Sequence, residues 1–236
     1  LSISNPTAPS AFFSQRRRVF LTGGSRGIGL AIREEFEKHG QTVICPSRTE
    51  LDLSSTESVQ SYLKNYAPKN IDILINNAGI NFPTPIPAIE LDRWETTLKV
   101  NLTAPFLLSR HFSEGMRKQG WGRILNVSSI FSLLSRDGRA AYSAAKAGLN
   151  GFTRTCAVEW GAQGVTVNAI CPGYIDTALT RQNNSEADIA KICQNIPLKR
   201  LADSSEISRM AVFLCSDHAS YLTGQCLVVD GGFSIQ

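Results

Sequence analysis

The chain predicts an α/β fold, a single doubly wound domain whose mostly parallel, seven-stranded sheet carries helices on both faces. Three observations carry this. Short apolar runs alternate with longer amphipathic ones, the pattern of strands joined by crossover helices. The first such pair is joined by Gly23-Gly24-Ser25-Arg26-Gly27-Ile28-Gly29, a glycine-rich turn between strand and helix. The length, 236 residues at 42% hydrophobic content, fills one large core. Residues 16–236 therefore read as one domain and residues 1–15, which lack periodicity, as an N-terminal tail.

In chain order, residues 18–22 form a buried strand, and the glycine turn after them lets backbone N–H groups approach a phosphate at the N-terminus of a helix over 30–39. Residues 41–45 are the second strand, ending at Pro46-Ser47-Arg48. A carboxylate there would take the ribose 2′-hydroxyl of NAD, whereas a 2′-phosphate calls for cations. The strand end carries no acid, so the pattern predicts NADP(H), with Arg26, Ser47 and Arg48 around the 2′-phosphate. Leu51-Asp52-Leu53 reads as a brief third strand, followed by Ser54 or Ser55 capping a helix to about residue 66. Residues 46–50 leave no room for a crossover helix, so this corner of the sheet is abbreviated.

The apolar strand 71–75 ends at Asn76-Asn77-Ala78-Gly79, on the carboxyl edge where open α/β sheets bind ligands. A loop with Pro83, Pro85 and Pro87 leads to a long helix over 91–118 that carries Asn101. A strand at 121–128, a helix containing Tyr142 that runs to about 160, and a strand at 165–171 stopping at Pro172-Gly173 follow. Helices near 185–194 and 203–215 precede a last strand at 226–229. There is no internal repeat and no low-complexity segment.

Composition excludes several classes. Lys+Arg 24 against Asp+Glu 20 gives only +4, and the cluster Arg16-Arg17-Arg18 reads as a solvated strand entrance, so nucleic-acid binding is not expected. Six cysteines without a C-x-x-C pair read as reduced core residues. His39, His111 and His218 lack companions at ligand spacing, and no metal site is expected. No run of about 18 apolar residues predicts a membrane span. The tail lacks the apolar segment of a secretory signal and reads as a processed organelle sequence or an artificial extension. A cytoplasmic location is expected, or an organelle matrix if the N-terminus is processed.

Chemistry is concentrated at Tyr142-Ser143-Ala144-Ala145-Lys146. On a helix, positions i and i+4 share a face, so the phenol and the ammonium serve one site. A phenol ionises near pH 10, and a neighbouring cation favours the phenolate, bringing Tyr142 toward a useful acid/base range.

Taken together, Thr22-Gly23-x-x-x-Gly27-Ile28-Gly29, Asn76-Asn77-Ala78-Gly79, Asn101, Ser129, Tyr142-x-x-x-Lys146, Pro172-Gly173 and Asp230-Gly231-Gly232 resemble the short-chain dehydrogenase/reductases, single-domain enzymes with a Rossmann-like fold. The resemblance runs from Val19 to the C-terminus. It implies that Ser129 hydrogen-bonds the substrate carbonyl, Tyr142 supplies the proton, and Lys146 holds the nicotinamide ribose and lowers the tyrosine pKa. Asn101 would position a water in a relay ending at Lys146. The spacing from Tyr142 selects Ser129 over Ser128.

For the dinucleotide, the resemblance assigns Gly23, Ser25, Arg26, Gly27, Ile28 and Gly29 to the pyrophosphate turn. Asp52 would meet the adenine amino group, and Asn77, Ala78 and Gly79 would line the adenine-ribose pocket. Pro172, Gly173, Ile175 and Thr177 would wall the nicotinamide. Asp230-Gly231-Gly232 is implied to be a turn near subunit contacts, without chemistry.

Tyr174 to Leu201, opposite Phe131, Leu133 and Leu134, should close an apolar cleft with few charges, suited to a modest ketone. Ile196-Pro197-Leu198-Lys199-Arg200 looks like the corresponding segment of 3-oxoacyl-carrier-protein reductases, making a carrier-protein or CoA thioester the leading substrate. Gly120 and Gln163 stand where carrier-docking members tend to be basic, with Arg117, Lys118, Arg136 and Arg139 as substitutes. A carbonyl reductase or alcohol dehydrogenase for another small hydroxy compound is the alternative; a sugar-nucleotide epimerase and a non-catalytic cofactor-binding regulator are more distant ones. The family also implies a homodimer or homotetramer, with Phe106, Phe112, Phe152, Val158 and Trp160 serving either that contact or the monomer core.

Overall fold

Strands that are apolar at nearly every position must be covered on both faces. The structure, a computed structural model describing residues 12–236, covers them in this way. Six strands, β1 (Arg18–Leu21), β2 (Thr42–Ile44), β3 (Ile73–Asn76), β4 (Gly122–Val127), β5 (Val165–Pro172) and β6 (Cys226–Val229), lie in the order β2-β1-β3-β4-β5-β6. All pairings are parallel, with Val19 opposite Val43 on one side and Ile73 on the other. The helices in chain order are α1 (Gly27–Lys38), α2 (Thr56–Asn65), α3 (Leu91–Leu98), α4 (Ala104–Gln119), α5 (Ala140–Trp160), α6 (Ala178–Asn183), α7 (Glu186–Gln194) and α8 (Ser204–Cys215).

Alternation within the strands sorts the core. Val19, Leu21, Ile73, Ile75 and Leu125 pack against α1 and α8 through Ile32, Phe36, Ile207 and Ala211. Phe20, Leu74, Ile124 and Val167 point to the opposite face and meet α2, α4 and α5 through Tyr62, Leu108, Met116 and Cys156. Among the described residues no helix is long and apolar enough to cross a membrane.

Four expectations are corrected. The sheet has six strands, because Leu51-Asp52-Leu53 does not join it. The N–H groups of Glu50 and Leu51 turn back onto Ser47 O (3.2 and 3.0 Å), and Asp52 N–H goes to Ser58 Oγ at 3.2 Å. With those donors committed to a turn, none is left for a ladder. Leu51 is still buried, so the turn is anchored in the core. Ser55, not Ser54, caps α2, accepting from Ser58 N–H at 3.1 Å.

The helix read as continuous over 91–118 is interrupted between α3 and α4 by a π-helical turn, Lys99–Thr103, which contains Asn101. The cleft-closing segment contributes α6 as well as the expected α7.

Residues 12–15 belong to the domain rather than to a tail. Phe13 is 1% exposed and packs on Phe36 at 5.9 Å between ring centroids. Asp217 N–H donates to Phe12 O (3.1 Å), and Ser14 N–H to the Asp217 carboxylate (2.7 Å). The rest of the expected tail, residues 1–11, lies outside the described residues.

The arginine cluster is not uniformly solvated. Arg17 is buried, stacks on Trp121 at 3.5 Å from the ring centroid, and lies 3.9 Å from Asp72. Arg123 approaches the same ring at 4.3 Å.

Truncating a fully buried phenylalanine removes its transfer free energy and leaves a cavity. Phe13→Ala is expected to destabilise the fold by about 3 kcal/mol, read as a lower urea midpoint at unchanged slope. A variant with the wild-type midpoint would return Phe13 to the tail.

Candidate active site

Parallel strands place their carboxyl ends on one edge, and the loops after β1, β3, β4 and β5 all open there. The chain leaves β1 toward β2 and returns to β3 on the other side, which makes a crevice between β1 and β3. At that crevice Gly23 has φ +69°, and a Cβ on it would lie 3.0 Å from Ala78. The buried Thr22 hydroxyl accepts from the N–H groups of Asn77 and Ala78, both at 3.1 Å. The Asn77 side chain donates back to Thr22 O (2.9 Å) and Gly23 O (3.0 Å). Asn77 thus clamps the glycine turn with its amide, and only its remaining surface faces the adenine-ribose side.

Gly29 allows α1 to start beside that turn, since a Cβ there would come within 2.0 Å of Gly23 O. Arg26 flanks α1 in an extended conformation, no side chain caps the helix, and its first turn holds no acid. An uncapped N-terminus without local negative charge suits a phosphate. Ser25 and Arg26 are exposed at this turn, while Ile28 packs onto the core. Thr177 meets the turn from the opposite wall, its methyl 3.5 Å from where a Gly27 Cβ would sit. Thr177 also caps α6, accepting from Thr180 N–H at 3.2 Å. Pro172 ends β5, and Gly173 sits so close to Asp230 that a Cβ would be 2.6 Å from the Asp230 Cβ. The Asp230 carboxylate accepts from Gly232 and Ser234 N–H, so the Asp-Gly-Gly turn buttresses this wall. Ile175 bridges to Ala202 with its side chain in the core, leaving only backbone to face the site.

At the other end of the crevice, Ser47 and Arg48 are exposed. The sequence reading missed a carboxylate: Glu50 accepts from both the N–H and the hydroxyl of Ser47, at 2.7 Å each. Those hydrogen bonds hold Glu50 below the usual carboxylate range. The signal for it was Ser-x-x-Glu, the spacing of a reciprocal cap. Asp52 is tied on one oxygen to the hydroxyl and N–H of Ser54, which hold its pKa down with help from the Arg48 charge.

The reacting groups converge between β4 and α5. Ser129 follows β4 and opens a short 3-10 turn, its Oγ accepting from Phe131 N–H at 3.2 Å. Its side chain acts on the Tyr142 phenol and favours the ionised form. Ser128 is committed elsewhere, its hydroxyl donating to Lys146 O at 3.4 Å. Lys146 is buried, with Nζ 5.7 Å from the Tyr142 ring centroid and donating to Val127 O at 2.7 Å. Burial brings its pKa down to about 8.

The expected lowering of Tyr142 by Lys146 is not found. Burial pushes the phenol up, opposed by the Ser129 hydrogen bond and by the charge of Arg139. In this state the nearby cation that favours the phenolate is Arg139, a residue the sequence reading had placed with carrier docking.

Asn101 is fully buried on the π-helical turn, its amide donating to Ile80 O and Thr97 O at 2.9 Å each. Its Oδ1 has no partner. A Cβ on Gly79 would lie 2.8 Å from that oxygen and 3.7 Å from Lys146 Nζ, so the two groups face one space beside Gly79. An orphaned acceptor next to an ammonium suits a bridging water. Sequence reasoning also missed the polar chain behind the site, in which Asn76 Nδ2 donates to Asn126 (2.8 Å) and Asn126 Nδ2 to Thr153 (2.9 Å).

Comparison with known proteins agrees with this geometry. The family profile described as Enoyl-(Acyl carrier protein) reductase matches residues 45–234. A 3-oxoacyl-(acyl-carrier-protein) reductase from Vibrio cholerae is 38% identical over 234 residues, 91% of this chain and 96% of that protein. An acetoacetyl-CoA reductase from Shinella zoogloeoides is 39% identical over 235 residues, 92% and 98% of the two chains. The crystal structure of a gluconate 5-dehydrogenase from Burkholderia cenocepacia in complex with NADP and tartrate superposes with a TM-score of 0.90 at 29% identity, covering 98% of this chain and 100% of that one. The serine, phenol and ammonium at the carboxyl edge, the glycine turn and these relationships make one statement: the chain belongs to the short-chain dehydrogenase/reductase family of oxidoreductases.

Proposed function

We propose that the protein is an NADP(H)-dependent ketoreductase that interconverts a ketone and a secondary alcohol. The observation that carries this is the pairing of Tyr142 with the buried Lys146 on α5, Nζ 5.7 Å from the phenol ring centroid, with the Ser129 side chain acting on the phenol from the end of β4. When bound, the nicotinamide supplies or accepts the hydride. Ser129 donates a hydrogen bond to the carbonyl oxygen, and Tyr142 gives that oxygen its proton. The raised pKa of Tyr142 keeps the proton on the phenol until oxyanion character develops. Lys146, which donates to Val127 O, would hold the ribose hydroxyls, and a water at Asn101 Oδ1 would pass a proton toward it.

The uncapped start of α1 and the turn from Gly23 to Gly29 would hold the pyrophosphate, with Ser25 at its rim. Ala78, Gly79 and Asp52 would receive the adenosine, and Pro172, Gly173 and Thr177 the nicotinamide. Arg26, Ser47 and Arg48 would receive the 2′-phosphate. The Ser47 donors now engaged by the Glu50 carboxylate would be available to that phosphate in its place. A 3-oxoacyl thioester is the substrate form suggested by the relatives. A carboxylated hydroxy compound is the second reading, favoured by the half-buried Arg139 whose charge reaches the phenol. The exposure of Val158 at 85% and Phe106 at 40%, with Phe112 in the core, supports a homodimer or homotetramer through α4 and α5. A reducing location, cytoplasm or organelle matrix, suits its six unpaired thiols.

Tyr142→Phe is expected to lower kcat for NADPH-dependent ketone reduction by about a hundredfold or more while leaving NADPH affinity within a few-fold; retained turnover would remove the phenol from the mechanism. Arg48→Gln should cut the preference for NADPH over NADH by about tenfold, and Glu50→Gln should raise it, both measured as ratios of dissociation constants. If neither ratio moves, the 2′-phosphate lies elsewhere.

The pH dependence has a defined sign. Ribose hydroxyls and phosphates favour charged Lys146, which in the free protein loses its proton near a pKa of about 8. Binding at higher pH therefore takes up a proton, and NADPH affinity should fall as pH rises, by up to about tenfold per unit. Fluorescence titrations should show the fall, and Lys146→Met should abolish it.

A further inference from the structure

The proposed chemistry leaves Arg139 without a task. It flanks the N-terminus of α5 three residues before Tyr142, and its charge reaches the phenol. Its Cζ lies 5.4 Å from the centroid of the Phe131 ring, which follows Ser129 by two residues. Phe131 meets Tyr174 edge-on at 6.3 Å, and Arg136 donates to the Tyr174 hydroxyl at 3.2 Å. Two guanidiniums are therefore set on the aromatic wall beside the reacting groups, where the sequence had predicted an apolar cleft with few charges.

The two differ in their surroundings. Arg136 is exposed and feels Asp188, whose carboxylate is engaged by the N–H and hydroxyl of Ser185. Arg139 is half-buried, no carboxylate among the described residues pairs with it, and its Nε is buried without a hydrogen-bond partner. Burial, then the charge of Arg136, push its pKa down. Keeping an unpaired cation there costs free energy that an anion with two oxygens recovers through charge-assisted hydrogen bonds. A guanidinium suits a carboxylate in particular, because its planar N–H fork fixes orientation as well as charge. A substrate gripped this way has its carbonyl presented to Ser129 and Tyr142 in one pose.

We propose that Arg139, with Arg136 beside it, binds a carboxylate on the substrate, so that the enzyme's ketone is an oxo acid and its alcohol a hydroxy acid. The proposal rests on the ketoreductase reading of Tyr142 and names the substrate class of that same site.

The test compares 3-oxobutanoate and 4-oxopentanoate with their methyl esters, which keep the ketone and remove the charge. Two readouts are taken on wild type, Arg139→Gln and Arg139→Lys: kcat/KM with NADPH, and the dissociation constant from protein loaded with NADP+, which cannot reduce a ketone. Each is expressed as the ratio of acid to ester, which cancels any change in Tyr142 acidity or in the amount of folded protein. Wild type should favour at least one acid by about tenfold or more, Arg139→Gln should bring that ratio close to one, and Arg139→Lys should keep part of it. Equal handling of acid and ester by wild type, or a ratio indifferent to Arg139→Gln, overturns the proposal. So does a carrier-linked 3-oxoacyl thioester that outruns both acids and is the only substrate slowed by Arg139→Gln, since the arginines would then dock a protein. Preferential binding of the acids without NADPH oxidation would uphold the carboxylate site and refute the reductase reading, so the two fail separately.

Discussion

The contact between Gly23 and Ala78 sets the registration of everything at the carboxyl edge. The two strand ends meet so closely that a side chain on Gly23 would touch backbone, and Thr22 and Asn77 fix the approach with four hydrogen bonds. One hydroxyl and one amide thus satisfy the ends of β1 and β3, whose polar groups would otherwise be left unpaired where the ladder stops. The first turn of α1 is held over the crevice as a result, and no side chain caps its N–H groups. Binding an anionic cofactor follows from how the sheet ends, and the glycines are where no other residue fits.

Behind the edge, the fold spends stability on keeping polar groups available. Lys146 is buried on a backbone carbonyl with its pKa at about 8, and Asn101 keeps an unpaired acceptor fully enclosed. Each of these costs free energy. The π-helical turn is what permits the second, because widening the helix at 99–103 lets the Asn101 amide reach Ile80 O on the adjacent loop while its oxygen faces the site. Such turns are local defects in a helix, and they persist where function needs the geometry.

What was legible in the chain follows from range. Periodicity and glycine spacing are local, so strands, most helices, the glycine turn and the serine-tyrosine-lysine set could be read directly. Asn101 was legible as a residue but its π turn was not, since that distortion depends on contacts with Ile80 rather than on nearby propensity. Phe13 read as part of a tail and Arg17 as part of a solvated strand entrance because their partners, Phe36 and Trp121, lie far along the chain. The third strand failed for a countable reason: backbone donors near Leu51 were already engaged by Ser47 and Ser58. Glu50 was within reach of local reading, because its spacing from Ser47 is that of a reciprocal cap.

The most instructive departure is the acidity of Tyr142, which the sequence assigns to Lys146 and the structure, before any ligand binds, assigns to burial opposed by Ser129 and Arg139. Two cations flank the phenol, one toward the cofactor and one toward the substrate, and neither acts on it independently of what is bound. A carboxylate on Arg139 neutralises that arginine's pull and drives the phenol further up, so the proton stays on Tyr142 while the substrate is seated. A dinucleotide held by Lys146 would favour the charged form of that lysine and so act on the phenol in the other direction.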